Sequence, residues 1–404
     1  MLVSKTDLSS IKTVDKLLNF YKEIPILNFK EGQLLDFDIN QQSRDEKITP
    51  FLKIADVHDS SEIAAIFQEV YSGKYPFKVL EDSKKIRKMI IDPHYIWIIF
   101  KTQSGDFVGC LGALLEFDKK RGYLFGFALK KNYHGKFDGL KTFICSLIYL
   151  WRRYNNEILL WTSEVRTFSS TPQYANSVVS LKPIAFLPNK DLFYDNPESE
   201  FLTITYKENT LKKFRSKQKP KIIRQVLNCY TYSQERYDLG LPEIVNPNLI
   251  INYKEISKLE EDIIMRKETD EYGHQFIKFS IKNSNSYFMF LYHKDNKNIE
   301  KTQYKSHNLE ELSVFLKKFN QFIKNQNLRY FEIYVSAYQP DHQKLFNNAG
   351  FEPRGYIPSF EFNPKKGIFE DMILFNYFTG EINPNIDLNL IQESKKLKNR
   401  LDSF

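Results

Sequence analysis

One short pattern occurs twice in this chain. Leu181-Lys-Pro-Ile-Ala-Phe-Leu-Pro188 returns 170 positions later as Phe351-Glu-Pro-Arg-Gly-Tyr-Ile-Pro358. Before the first occurrence, Leu140, Phe143, Ile144, Leu147, Ile148 and Trp151 recur at helical spacing, followed by an apolar strand Ile158–Thr162. Before the second, Leu309, Leu312, Phe315, Leu316, Phe319 and Phe322 line a helix that precedes the strand Tyr330–Val335. After the motifs, Glu200–Tyr206 answers to Asp371–Tyr377. A helix, a strand, a Pro-x4-Pro motif and a final strand in one order predict two copies of one fold. At roughly 150 residues per domain, 404 residues hold two such copies with room for connections.

The first copy is expected over residues 52–206. Ser60 is read as the cap of a helix carrying Ile63, Ile66, Phe67 and Val70, and Ile86, Met89 and Ile90 mark a second helix. Tyr95–Lys101, Phe107–Phe117 and Tyr123–Leu129 are alternating or apolar runs separated by short polar turns, so an antiparallel meander is expected. The loop Lys130–Asp138 leads into the helix from Leu140. The fold class implied is α+β, a mixed central sheet flanked by helices. Residues 1–51 form an N-terminal extension whose apolar positions Leu8, Ile11, Val14, Leu17, Leu18 and Tyr21 predict a helix over Asp7–Ile24. Residues 207–250 read as a basic linker, 251–378 as the second copy, and 379–404 as a polar tail ending in a basic helix.

Charge narrows the partners. Of the net +8, seven units sit in residues 207–224, where eight Lys and Arg face one acid, Glu208. A chain otherwise near neutrality is not a general nucleic-acid-coating protein. Only 15 glycines are present, which disfavours several glycine-loop nucleotide sites. Cys110, Cys145 and Cys229 show no CxxC spacing and read as small apolar fillers. The seven histidines lack metal-ligand spacing, so no metal is expected. The longest apolar stretch, around Phe143–Trp151, falls far short of a membrane span, and the first ten residues lack the apolar run of a signal peptide. A cytoplasmic location is the expectation.

Phe107-Val-Gly-Cys-Leu-Gly-Ala, followed by a strand and by Ala128-Leu-Lys-Lys-Asn-Tyr-His-Gly-Lys, resembles the GNAT (GCN5-related N-acetyltransferase) superfamily. Ser180-Leu181-Lys182-Pro183 and Gly350-Phe351-Glu352-Pro353 resemble that family's late helix running into a Gly-Phe pair. The resemblance covers residues 54–206 well and 252–378 more weakly. It implies tandem GNAT-like domains, the second degenerate, and transfer of an acyl group, acetyl first among them, from acyl-CoA to an amine of a small molecule or protein.

The donor site then follows from the family loop, whose amides and helix N-terminus receive a pyrophosphate. Residue by residue, it falls on Phe127, Leu129, His134, Gly135, Lys136, Phe137, Gly139 and Leu140. The match departs at Phe137, which stands where the family has a glycine. In the second copy Lys301-Thr-Gln-Tyr-Lys-Ser-His-Asn308 contains no glycine, so no coenzyme is expected there. Backbone amides of a splayed strand near Phe125–Phe127 are expected to polarise the thioester carbonyl. Glu164, read as lying just past the strand Ile158–Thr162, is the candidate base. The family's late-helix Tyr is replaced by Asn176 and Phe346, which leaves Tyr174 as the candidate acid. Two other readings stay open. One is an aminoacyl-tRNA-dependent transferase using the basic segment, and the other is a catalytically inactive binding module.

Overall fold

The structure is a computed structural model that describes residues 13–20, 22, 32–35, 47–382 and 389–403. The first half runs α1 (Val14–Phe20), β1 (Gln33–Leu34), β2 (Phe51–Ile54), α2 (Ser60–Tyr71), α3 (Ser83–Ile91), β3 (Tyr95–Lys101), β4 (Phe107–Glu116) and β5 (Arg121–Leu129). It continues with α4 (Gly139–Arg153), β6 (Leu160–Arg166), α5 (Ser170–Val178), β7 (Lys182–Phe193) and β8 (Asn196–Tyr206). A connecting stretch carries α6 (Glu208–Lys212), β9 (Lys221–Ile222), α7 (Leu227–Tyr237) and β10 (Glu243–Ile244). The second half runs α8 (Tyr253–Glu261), β11 (Ile263–Thr269), β12 (Gln275–Ile281), β13 (Tyr287–His293), β14 (Asn298–Lys305) and α9 (Leu309–Gln326). It ends with β15 (Tyr330–Ser336), α10 (Pro340–Asn348), β16 (Glu352–Asn363) and β17 (Ile368–Phe378), and α11 (Gln392–Leu401) closes the chain.

Among the described residues, fifteen strands form one sheet, in the order β1-β2-β3-β4-β5-β6-β8-β7-β16-β17-β15-β14-β13-β12-β11. The order and sense of the first half recur, reversed across the middle, in the second. Each half has one parallel pairing, β5 with β6 and β14 with β15, and the other pairings within it are antiparallel. Local polar residues start the helices on schedule. Asp82 accepts the Lys84 and Lys85 amides to cap α3, Asp138 accepts Lys141 N–H to cap α4, and Asn308 accepts Glu311 N–H to cap α9. Asp56 and Asp59 form a capping box before α2, so Ser60 opens that helix instead of capping it.

The repeated motif is itself the seam. β7 and β16 meet at Ala185 opposite Gly355, the same position in the two motifs. A β-carbon on Gly355 would sit 2.3 Å from Ala185 Cβ and 2.6 Å from Ile184 O, so only glycine lets the strands close. Residues 207–250 do not behave as a solvated connector. α7 lies across the seam, where Tyr232 OH donates to Pro183 O (3.1 Å) and Ser233 OH to Tyr356 O (2.6 Å). Tyr230 packs edge-on against Tyr356 with ring centres 4.6 Å apart. Arg215 forms a forked pair with the fully buried Asp371, which also accepts from Tyr356 OH and Ser359 N–H. Lys212, Lys213, Lys217, Lys219 and Arg224 remain exposed. The tail also docks, with Leu397 buried and Lys182 Nζ 3.2 Å from Glu393.

Some boundaries move. β6 begins at Leu160 and runs to Arg166, so Glu164 lies within the strand and not past it. The second-half counterpart of Glu200–Tyr206 is Met372–Phe378, one residue beyond the expected pairing, because Leu160 faces Tyr206 while Tyr330 faces Phe378. The cause is the β16–β17 turn, which holds two more residues than Tyr194-Asp195 between β7 and β8. Of the expected Asp7–Ile24 helix, Val14–Phe20 is seen, and the flanking parts fall largely outside the described residues. All three cysteines are free and buried. Among the described residues no helix is long and apolar enough to cross a membrane, and no group of His, Cys, Asp or Glu converges as metal ligands would.

Candidate functional site

A parallel pairing that stops early creates the site. β5 and β6 are paired only from Arg121–Leu124 to Leu160–Ser163, and the strands part beyond. At the same point β5 is bulged against β4. Cys110 faces Ala128 and Gly112 faces Phe125, so Gly126 and Phe127 together oppose Leu111. Gly126 has φ +63°, and a β-carbon there would touch Phe67 at 3.0 Å. The opening leads into a cavity of about 850 Å³. One wall is aromatic, with Tyr71, Tyr75 and Phe77 from α2 and the loop after it. The other walls come from β5, β6, the α4 entrance, α5, and strands of both halves.

The cavity collects most of the residues expected from sequence. Phe127, Leu129, His134, Gly135, Phe137, Gly139 and Leu140 line it, as do Glu164 and Tyr174. Lys136 does not. It is exposed, and its carbonyl accepts the Ile48 amide as residues 47–49 cross the loop (2.8 Å). Lys47 lines the cavity in its place.

The loop before α4 is largely self-satisfied. His134 N–H donates to Lys131 O, Lys136 and Phe137 N–H to Tyr133 O, Asp138 N–H to Ile48 O and Gly139 N–H to Phe137 O. From His134 to Leu140, among the described residues, the Gly135 and Leu140 amides have no acceptor, and both residues line the cavity. The Asp138 carboxylate shares the positive end of α4 with them and works against a second negative charge. Phe137 is buried in the first-half core, so its ring is turned away from solvent.

Beyond the splay the cavity turns acidic. Glu164 accepts from Tyr123 OH at 3.1 Å and from Lys190 Nζ at 2.5 Å. Lys190 is buried among Glu164, Glu332 (3.3 Å) and Glu300 (3.9 Å). Burial opposes its charge, but the three carboxylates outweigh that and hold its pKa well above the ordinary lysine value. Glu300 is buried too, yet Lys190 and His293 keep its carboxyl below the usual range. Asp191 accepts from Asn298 Nδ2 at 2.8 Å and also from Asn296. Burial, then Glu300, push its pKa up to about 7. Glu200 is 4% exposed and makes no hydrogen bond or ion pair among the described residues. Burial, and next Asp191 and Glu164, raise it well above the carboxylate range.

Asp191, Glu200 and Glu300 carry no motif, and sequence reasoning passed over them. A usable signal did exist. Charged residues at Lys190, Asp191, Glu198 and Glu200 interrupt strands that are otherwise buried, and buried acids are rare unless paired or functional.

No protein-family model matches the chain, and no curated protein matches it. Among solved structures it is similar to the ribosomal-protein-S5-alanine acetyltransferase of Vibrio fischeri, at 9% identity over 40% of this chain and 94% of that one, with TM-score 0.35. The dodecameric spermidine N-acetyltransferase of Vibrio cholerae gives 10% identity over 40% of this chain and 95% of that one, with TM-score 0.34. The microcin C7 self-immunity acetyltransferase MccE, solved with acetyl-CoA and AMP, gives 12%, 39% and 92%, with TM-score 0.33.

Proposed function

We propose that the chain is an N-acyltransferase built from two GNAT-like units, residues 52–206 and 251–378, and that the first unit carries the donor site. The observation that supports this reading most is the cavity at the β5–β6 splay. It connects the bulge at Gly126–Phe127, the amides of Gly135 and Leu140 at the entrance of α4, and the carboxylate of Glu164. In the reaction the acceptor nitrogen attacks the thioester carbonyl, the new C–N bond forms, and the C–S bond breaks. The amine proton passes to Glu164, directly or through one water, and the departing thiolate takes a proton from Tyr174. Backbone N–H groups at the bulge stabilise the oxyanion. Gly135 and Leu140 hold the pyrophosphate of acyl-CoA through two amides and the α4 dipole.

The test is calorimetric titration of acetyl-CoA into the wild-type chain and into Gly139→Leu, with thermal unfolding of both as a folding control. Binding by the wild type and its loss in a folded variant support the donor site. Equal affinity in the two would sink it.

A second reading draws on the loop itself. Its occupied amides and the Asp138 carboxylate suit a donor that brings no pyrophosphate there, such as an aminoacyl-tRNA, with Lys213, Lys217, Lys219 and Arg224 exposed for its backbone. Stabilisation by bulk tRNA and not by acetyl-CoA, weakening steeply with salt, would favour it.

A further inference from the structure

The acid-lined end of the cavity is a chamber shared by the two halves. Asp191 on β7 and Glu200 on β8 come from the first half, and Glu300 on β14 comes from the second. The cations nearby are largely committed. Lys190 is divided among Glu164, Glu300 and Glu332. Arg166 forks onto Glu198 (2.6 and 2.7 Å) and stacks on Phe193. Arg329 donates to the carbonyls of Asn189, Lys190 and Asn296. Lys301 is exposed and makes no ion pair with these acids among the described residues. His293 Nε2 stands 3.7 Å from Glu300 Oε2, beyond a hydrogen bond, and has no hydrogen-bond partner among the described residues.

Glu200 is the second and independent mark. It is more than nine-tenths buried, lines the cavity, and has no partner for either oxygen among the described residues. A buried carboxylate without a donor is costly, so a fold that keeps one facing a cavity leaves it for a ligand. The ligand is not a bare metal ion, because no three of these acids converge as ligands would among the described residues. A larger cation with several N–H donors fits the spread of Asp191, Glu200 and Glu300.

We propose that the acceptor carries a second cationic group, an ammonium or guanidinium away from the reacting amine, which the Asp191–Glu200–Glu300 chamber receives. The proposal rests on the acyl-transfer reading and deepens it by naming the acceptor class. The reacting nitrogen then lies at the splay near Glu164, and the remote cation anchors it there. The second half, without a donor loop, contributes specificity through Glu300.

The experiment is titration of the full chain, without acyl-CoA, with 1,4-diaminobutane, n-butylamine and 4-aminobutanoate as probes. The expected result is binding of the diamine at least tenfold tighter than butylamine, with 4-aminobutanoate weakest of the three. Glu200→Gln, which keeps the shape but cannot ionise against a bound cation, brings the diamine down to the level of butylamine. Glu300→Gln, a second variant on another strand, lowers the preference as well. Equal binding of diamine and butylamine would overturn the chamber, and so would tighter binding of 4-aminobutanoate or an unchanged preference in a folded Glu200→Gln. Failure of the parent reading is seen separately. If the diamine preference holds but acetyl-CoA neither binds nor acetylates the diamine, acyl transfer falls while the cation chamber stands.

Discussion

Two helices occupy matching places in the two halves, and their entrances differ. In the first half nine residues separate β5 from α4, enough for a loop that lines the cavity and leaves the Gly135 and Leu140 amides without an acceptor among the described residues. In the second, three residues separate β14 from α9, and the helix closes on itself. Glu311, in its first turn, accepts from His307 N–H (2.7 Å) and Ser286 OH (2.6 Å), while Asn308 caps the end. The same contrast holds one strand earlier. The bulge that uses Gly126 at φ +63° recurs between β13 and β14 with Lys301 at φ +50°, a conformation a lysine adopts only at a cost. α2 and α3 cover the sheet between β2 and β3, whereas five residues join β11 to β12. One topology thus leaves an open loop over the cavity on one side and a closed helix entrance on the other. Fold and site are separable properties of the same strand order.

The comparison breaks most readily at the joint. Arg215→Met leaves Asp371 charged and buried without its forked partner, and should cost about 3–5 kcal/mol in denaturant unfolding. A loss under about 1 kcal/mol would mean that the halves hold together without the connecting stretch. Next in size is a pH effect that separates the two walls of the chamber. Asp191 titrates near 7 in the folded chain, well above a free carboxyl, so unfolding releases its proton. Its penalty is absent below about pH 4, grows as pH rises, and is complete above about 7. Asp191→Asn should therefore gain on the wild type in unfolding free energy between pH 5 and 8, by about a few kcal/mol at most. Glu300, held below the usual range, has the opposite sign. Its contribution is present at neutral pH and is lost in acid, so Glu300→Gln should be the less stable chain at pH 7 and converge with the wild type as pH falls. Parallel behaviour of the two variants would contradict this electrostatic picture.

A third effect is smaller and compares the bulges. Gly126→Ala should cost about 1–2 kcal/mol, from the left-handed backbone and the contact with Phe67, whereas Lys301→Gly should be neutral or stabilising by up to about 1 kcal/mol. Equal losses would mean that the two bulges do not correspond. Smallest is Asp138→Asn, which keeps the α4 cap and removes the competing charge. It should tighten acetyl-CoA binding a few-fold, as expected from about 0.3–1 kcal/mol at a helix terminus.

Much of the architecture was legible because it is local or repeated. Helical spacing located α4 and α9, and the Pro-x4-Pro motif located β7 and β16. The motif did not disclose that its two copies would pair with each other at Ala185 and Gly355, since that contact spans the whole chain. The basic segment read as a charged linker, although its Arg215 is committed to Asp371 and its neighbouring helix to the seam. The glycine loop marked a stretch of chain that lines the cavity. Its hydrogen bonds to residues 47–49 and the Asp138 cap depend on the folded backbone and left no pattern. The chamber was hidden for a related reason. Asp191, Glu200 and Glu300 lie on three strands from two halves, and only sheet order brings them to one cavity.

The stoichiometry of acetyl-CoA binding to the intact chain, measured by calorimetry, tests the division between the halves most directly. One site per chain, lost in Gly139→Leu and retained in Asn308→Asp at the α9 entrance, is the predicted result. Two equivalent sites, or one site that survives Gly139→Leu, would contradict it.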